Sequence, residues 1–186
     1  MPLDVICFLA VLAGSLFITI SLAWYTVRLG ISPMPSSGKA GRAIERIIKA
    51  NRPSSIVYEL GSGWGGLACR LARALPASHI RGFELSSIPY GWSSLVNRLR
   101  RSSNLEINRA DFFGASLHDA DIVVCYLYTG AMARLKDKFE RELRPGTMVI
   151  SNTFALPGWT PAEVVRLNDW YRTPVYVYRT VEKMVT

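Results

Sequence analysis

Three carboxylates stand at matched places in this chain. Glu59 precedes the glycine run GSGWGG, Glu84 closes HIRGFE, and Asp111 follows EINRA. Each comes at the end of a short apolar stretch. Gly61, Gly63 and Gly66 satisfy G-x-G-x-x-G, the pattern that lets a backbone cradle a dinucleotide pyrophosphate. A ring of acids is the wrong lining for pyrophosphate, because like charges repel strongly where water is excluded. The same ring suits a ligand that carries a cation, a diol and a base with donors. A carboxylate is acceptor-only with two oxygens, so Glu84 can take both hydroxyls of a ribose. Asp111 can accept from an exocyclic amine, with Phe112 stacked beside the ring. Gly61, Gly63 and Gly65 let the backbone pass close to the ligand without a Cβ. Glu59 would stand near the cationic end.

The acids acquire their register from the elements that hold them. SSIVYEL, HIRGFEL, LEINRADFF, DADIVVCYLY and TMVISNTF read as strands. GGLACRLARAL, PYGWSSLVNRLRR and GAMARLKDKFERELRPG read as helices between some of them. Strands alternating with helices predict a parallel sheet, and the unbroken runs IVV and MVI suit strands buried on both faces. AEVVRL, NDWYR and TPVYVYRTV then read as two strands joined by a polar turn, with no helix between them. The fold class expected is α/β: a Rossmann-like, doubly wound, mostly parallel seven-stranded sheet ending in an antiparallel hairpin. Ligands of open α/β sheets bind beyond the carboxyl ends of the strands. Besides the three acids, that edge collects Tyr126, Tyr128 and Thr129 after the fourth strand and Asn152 and Thr153 after the fifth.

S-adenosylmethionine has the required features: a sulfonium, an ammonium, two ribose hydroxyls and an adenine amine. ELGSGWG resembles the first motif of the class I, seven-strand methyltransferases, GFELS their acidic second strand, and RADFF their third. The closing hairpin matches the end of their sheet, and the resemblance spans about residues 54–181. The resemblance implies a cofactor site of Glu59, Gly61, Ser62, Gly63, Gly65, Glu84, Leu85, Asp111, Phe112 and Tyr126. More narrowly, a short apolar anchor segment, a small linker, this core without a cap domain, GFELS, and ALPGWTP after the fifth strand are similar to a membrane-anchored lysine methyltransferase family with bacterial relatives. Its members modify the mitochondrial adenine nucleotide translocase and the ATP synthase c subunit. That likeness implies a protein-lysine acceptor in or near a membrane. Tyr128 and Asn152 are expected to line its pocket, with Trp159 as an aromatic wall. Trp159 reads equally well as a core anchor of the hairpin, and Tyr126 as a residue buried in the sheet.

The rest of the chain narrows the possibilities. From Val5 to Val27 no residue is charged, and such a run is long enough for a helix to cross a bilayer. It is too long, and lacks the basic start, for a cleaved signal peptide. Trp24 and Tyr25 fall at its end, where amphipathic rings favour the interface. The expected organisation is one transmembrane anchor helix over 4–29, a linker over 30–38 and a methyltransferase domain over 39–186. Arg28, Lys39, Arg42, Arg46 and Lys49 all follow the helix, which predicts a single-pass protein with its domain on the cytoplasmic side, or the matrix side if mitochondrial. These residues also account for part of the net charge of +8. No nucleic acid partner is expected. Cys7, Cys69 and Cys125 have no metal-ligand spacing, so no metal is expected, and His79 and His118 have no partner at a catalytic spacing. Three rival readings stand beside the lysine methyltransferase: the same cofactor with a lipid or small-molecule acceptor, a nicotinamide-dependent oxidoreductase, and a non-enzymatic membrane adaptor.

Overall fold

The structure, a computed structural model, describes residues 2–29 and 36–181. The chain runs α1 (Leu3–Leu29), α2 (Gly38–Asn51), β1 (Ile56–Leu60), α3 (Gly66–Ala74), β2 (His79–Phe83), α4 (Ser87–Arg100), β3 (Leu105–Asn108), β4 (Ile122–Cys125), α5 (Thr129–Glu142), β5 (Met148–Asn152), β6 (Glu163–Arg166) and β7 (Pro174–Arg179). α1 forms one compact unit, and everything from α2 onward forms another. The linker expected over 30–38 lies outside the described residues as far as 35, and Gly38 already opens α2.

Among the described residues no helix is long and apolar enough to cross a membrane. α1 is nevertheless helical for 27 residues. Its side chains at 3, 17, 18 and 21–29 lie outside the described ones, and with them the expected interfacial pair Trp24 and Tyr25. Where its side chains are described, Phe8, Val11, Leu12, Leu16 and Ile20 are all exposed.

The seven strands form one sheet in the order β3-β2-β1-β4-β5-β7-β6. β1 to β5 are parallel, and β7 runs antiparallel between β5 and β6. α2, α3 and α4 cover one face. Ile44, Ile48, Leu71 and Leu75 pack there on Val57, Ile80, Val124 and Ile150. Ser37 caps α2 by accepting the Ala40 N–H at 3.1 Å. Asp121 caps the sheet's lower edge, accepting the Ile56 N–H at 2.8 Å.

The other face is only half covered. α5 packs over β4, β5 and β7, where every residue of β4 and β5 is buried. No helix lies between β3 and β4 or between β5 and β6, so β2 and β3 are left partly bare. The expectation that the parallel strands are buried on both faces therefore holds at the centre of the sheet and fails toward β3. Polar residues fill the gap. Tyr58 donates to Asp119 at 2.5 Å, and Arg81 donates to both Tyr58 and Asp119, at 2.7 and 2.9 Å. They border an open cavity of about 370 Å³ lined also by Phe83, Glu106 and Asn108.

Candidate active site

The glycine turn is pinned to the end of the neighbouring strand. Gly61 and Ser62 both donate their N–H groups to the carbonyl of Phe83, at 3.0 and 2.9 Å. Gly63 has φ +54°, and a Cβ placed there would meet nothing within 4 Å, so the turn opens onto free space at this residue. Gly65 does a different job. At φ +76°, its absent Cβ would lie 2.7 Å from the Cβ of Ser93, so this glycine lets α3 start against α4 rather than against a ligand.

Glu84 sits one residue beyond β2 and is buried. Its Oε2 accepts the Gly63 N–H at 2.8 Å and its Oε1 accepts the Ser86 N–H at 2.6 Å. The carboxylate thus ties the glycine turn to the start of α4. Each oxygen keeps a second lone pair, as a ribose diol would need.

Glu59, expected at the carboxyl end of the first strand, is the fourth of the five residues of β1, paired with Gly82 of β2 and Val124 of β4. It points to the helix-covered face, where it is buried, and its Oε2 has no hydrogen-bond partner. Burial pushes its carboxyl up to about 8, the Ala68 N–H pulls it down in part, and the charge of Glu84 pushes it further up. Ser62 is a second buried, unpartnered polar group in the turn, with its hydroxyl over Gly82. A buried carboxyl with one oxygen unpartnered, held protonated beside the Glu84 carboxylate under a turn that opens at Gly63, is a site where a cation would favour ionisation.

The third acid is placed differently again. Asp111 is exposed, three residues past β3, and its Oδ1 accepts the Phe113 N–H at 2.9 Å. Phe112 packs on Phe113, with ring centroids 4.6 Å apart. This loop is held by residues that the sequence did not mark. Lys138, buried on α5, donates to the Phe113 carbonyl at 3.2 Å and pairs with Glu142 at 2.7 Å. Glu142 in turn accepts the Leu117 N–H at 3.2 Å. In the sequence the pair sits in KDKFERE, where it is indistinguishable from a solvated i,i+4 pair. Lys138→Ala should lower stability by about 3 kcal/mol, since it strands a partly buried carboxylate. Denaturant unfolding checks this.

Of the residues expected to line an acceptor pocket and the ligand site, Tyr126 and Asn152 follow Cys125 and Ser151, which are paired between β4 and β5. Asn152 is buried, Tyr126 is half-buried and Tyr128 is 36% exposed. Tyr126 stacks on Phe154, and the Tyr128 ring lies over Gly130, where a Cβ would be 2.6 Å from it. Leu85 is half-buried beside Glu84. Thr153, a β-branched residue, has φ +70°. The Phe154 N–H closes a tight turn on the Asn152 carbonyl at 2.8 Å, and the Thr153 N–H donates to Pro174 at 2.8 Å. Backbone strain of about 1–3 kcal/mol at such a residue persists only where its surroundings fix it.

Trp159 is not brought to this group. Its indole N–H donates to Glu140 at 3.0 Å, and its ring packs on Phe139 and Tyr178. Tyr178 pairs with Val149, near the start of β5, so Trp159 lies toward the opposite edge of the sheet from Asn152. It ties the loop after β5 to α5. Trp159→Ala should cost about 3 kcal/mol of stability while leaving cofactor affinity unchanged, as unfolding and calorimetry would read.

A sheet of this order, a glycine turn tied to an acid after β2 and a buried acid in β1 together define a class I methyltransferase. The family model of the ANTKMT methyltransferase domain matches residues 59–163. A protein-lysine N-methyltransferase of Saccharolobus islandicus is 30% identical over 156 residues, covering 78% of this chain and 91% of that protein. The adenine nucleotide translocase lysine N-methyltransferase of Mus musculus is 33% identical over 137 residues, 71% of this chain and 58% of the mouse protein. An RNA methyltransferase from Salinibacter ruber, solved with S-adenosyl-L-homocysteine, shares the fold at a TM-score of 0.70 and 23% identity, over 81% of this chain and 96% of that one. This chain belongs to the ANTKMT methyltransferase family and is an S-adenosylmethionine-dependent enzyme. The nicotinamide and adaptor readings fall with that assignment.

Proposed function

We propose that this protein methylates a lysine of a membrane or membrane-associated protein and is held at the bilayer by α1. The lysine acceptor rests on the names of the two curated relatives. Membrane anchoring rests on one observation: α1 exposes apolar side chains at every described position from Val5 to Leu12 and has no core of its own to bury them. With a rise of about 1.5 Å per residue, its backbone is about 40 Å long. The basic residues that follow α1 favour a domain on the cytoplasmic side, or the matrix side in a mitochondrion.

When bound, S-adenosylmethionine supplies a methyl group on a cationic sulfur. Glu59 would face that charge, Glu84 the ribose, and Asp111 with Phe112 the adenine. The acceptor amine must be neutral and aligned. Buried Asn152 and the tyrosine pair 126 and 128 would line the acceptor's approach, where partial desolvation favours loss of the lysine proton. Mass spectrometry of lysine methylation in membranes with and without the protein tests the reading. Transfer of labelled methyl to extracted lipid instead of protein would replace the lysine acceptor with a lipid one.

A further inference from the structure

The β6–β7 hairpin ends in two aromatic residues that the fold does not use. Trp170 is 93% exposed and Tyr171 is 87% exposed. The turn closes without them. Leu167 donates to Thr173 at 2.9 Å, Arg172 donates to Asp169 at 3.1 Å, and the Asp169 carboxylate accepts the Thr173 N–H at 2.8 Å. Leu167 is buried and anchors the turn on the core. The two rings are therefore held outward on a well-bonded loop. Exposing both aromatics to water leaves a large apolar area uncovered, and such residues mark a surface that meets something else.

Three placements say what that is. First, the register pairs Arg166 with Pro174 and Asn152 with Val175, so the tip projects from the same edge of the sheet as the acceptor side. Second, the Lys39 ammonium donates to the carbonyl of Asn168, so the start of α2 lies beside the tip. Only eight residues separate α2 from α1. A fully extended chain of that length reaches roughly 30 Å at most. The tip therefore stands next to the point where the chain from the apolar segment joins the domain. Third, Arg166, Arg172 and Lys39 outnumber the one acid of the turn, Asp169. Tryptophan and tyrosine favour the headgroup level of a bilayer, and basic residues beside them favour anionic lipid.

We propose that Trp170 and Tyr171, flanked by Arg166 and Arg172, seat in the headgroup layer of an anionic membrane and turn the acceptor edge of the sheet toward it. The proposal rests on the anchoring role of α1. In that arrangement the lysine substrate is met at the membrane surface, and the domain does not tumble freely on its linker.

The test is tryptophan fluorescence of the full chain in vesicles of phosphatidylcholine and phosphatidylglycerol brominated near the headgroups. Trp170→Phe and Trp24→Phe are measured alongside. The emission lost in Trp170→Phe should be quenched at least about twofold by bromination, as expected for an indole at the interface. An unquenched Trp170 component overturns the proposal. The Trp24 component then shows whether the anchor falls with it: quenched, only the tip placement is wrong; unquenched, both are. Shielding of Trp170 only after an acceptor protein is added would assign the tip to protein docking and would also overturn the proposal. Trp170→Asp with Tyr171→Asp should slow transfer to a membrane-embedded acceptor by roughly tenfold, the effect of losing about 1.4 kcal/mol at the interface, while S-adenosylhomocysteine affinity stays unchanged.

Discussion

Glu84→Gln should weaken binding of S-adenosylhomocysteine by about 100-fold or more. The carboxylate accepts two backbone N–H groups, from Gly63 and Ser86, and both are charge-assisted. A hydrogen bond to a charged group contributes roughly 1.5–3 kcal/mol. Glutamine has the same shape, but one end of its amide is a donor. Either Gly63 or Ser86 would then face an N–H with its own N–H, which leaves a buried donor unsatisfied and swings the glycine turn off its position. The ribose would also lose an acceptor. The two losses act on the same turn, so they should exceed those of removing a ribose contact alone. Isothermal calorimetry on the purified protein reads the affinity. Unfolding in denaturant separates a collapsed turn from a collapsed fold, since the core of Val57, Ile80 and Val124 does not depend on Glu84. Affinity within about threefold of wild type would show that the turn is held by other bonds.

Glu59→Gln should remove a pH dependence that the wild-type protein carries. Burial holds the folded carboxyl near 8, whereas in the unfolded chain it titrates near 4.5. Between those values the folded protein keeps a proton that the unfolded chain has released. Ligand-free stability from this group is therefore fully present below about 4.5 and declines as pH rises toward 8, by a few kcal/mol over the window. Glutamine is neutral throughout, so the variant's stability curve should be flatter there and higher at the alkaline end. Binding should show the opposite trend. A carboxylate that faces a cation must ionise, so at neutral pH the cofactor should expel a proton on binding, and its affinity should climb up to tenfold per pH unit until about 8. Calorimetry in two buffers of different ionisation enthalpy counts that proton. Equal apparent enthalpies in the two buffers would mean that Glu59 keeps its proton and donates a neutral hydrogen bond instead.

What the sequence made legible follows from local pattern. The alternation of apolar runs with helical spacing places Glu84 and Asp111 beyond strand ends and the glycines between a strand and a helix. The polar NDWYR between two β-branched runs marks the closing hairpin. Glu59 was recognisable as an acid before the glycines, but its placement inside β1 depends on pairing with Gly82 and Val124, 23 and 65 residues away in the chain. Long-range contacts hide the rest. Lys138 reads as a surface lysine because Phe113, which it bonds, and Leu117, which bonds its partner Glu142, belong to a loop with no periodic signal. Trp159 follows a strand and so suggests a site residue, yet the loop doubles back to Phe139 and Tyr178. Thr153 gives no warning of its left-handed backbone, because only the turn between Asn152 and Phe154 imposes it. The half-bare sheet was implicit in the missing helix between the third and fourth strands, but only the sheet order shows which strands it exposes.

The position of β7 governs how synthesis and folding are coordinated. Among the described residues it is the last strand in the chain, yet it lies between β5 and β6 rather than outside them. Until residues 174–179 leave the ribosome, the edge of β5 presents unpaired backbone groups, and β6 has no strand beside it. Nascent chains with open edges are prone to pair with the wrong partner. Asn152 also lacks its neighbour Val175 over that interval, and Thr153 lacks the Pro174 carbonyl that restrains it. The half of the fold that carries the glycine turn can assemble early, whereas the end of β5 at Asn152 is completed only when translation has passed β7. A chain stalled before that point would present the glycine turn without the backbone restraints that β7 places on Asn152 and Thr153.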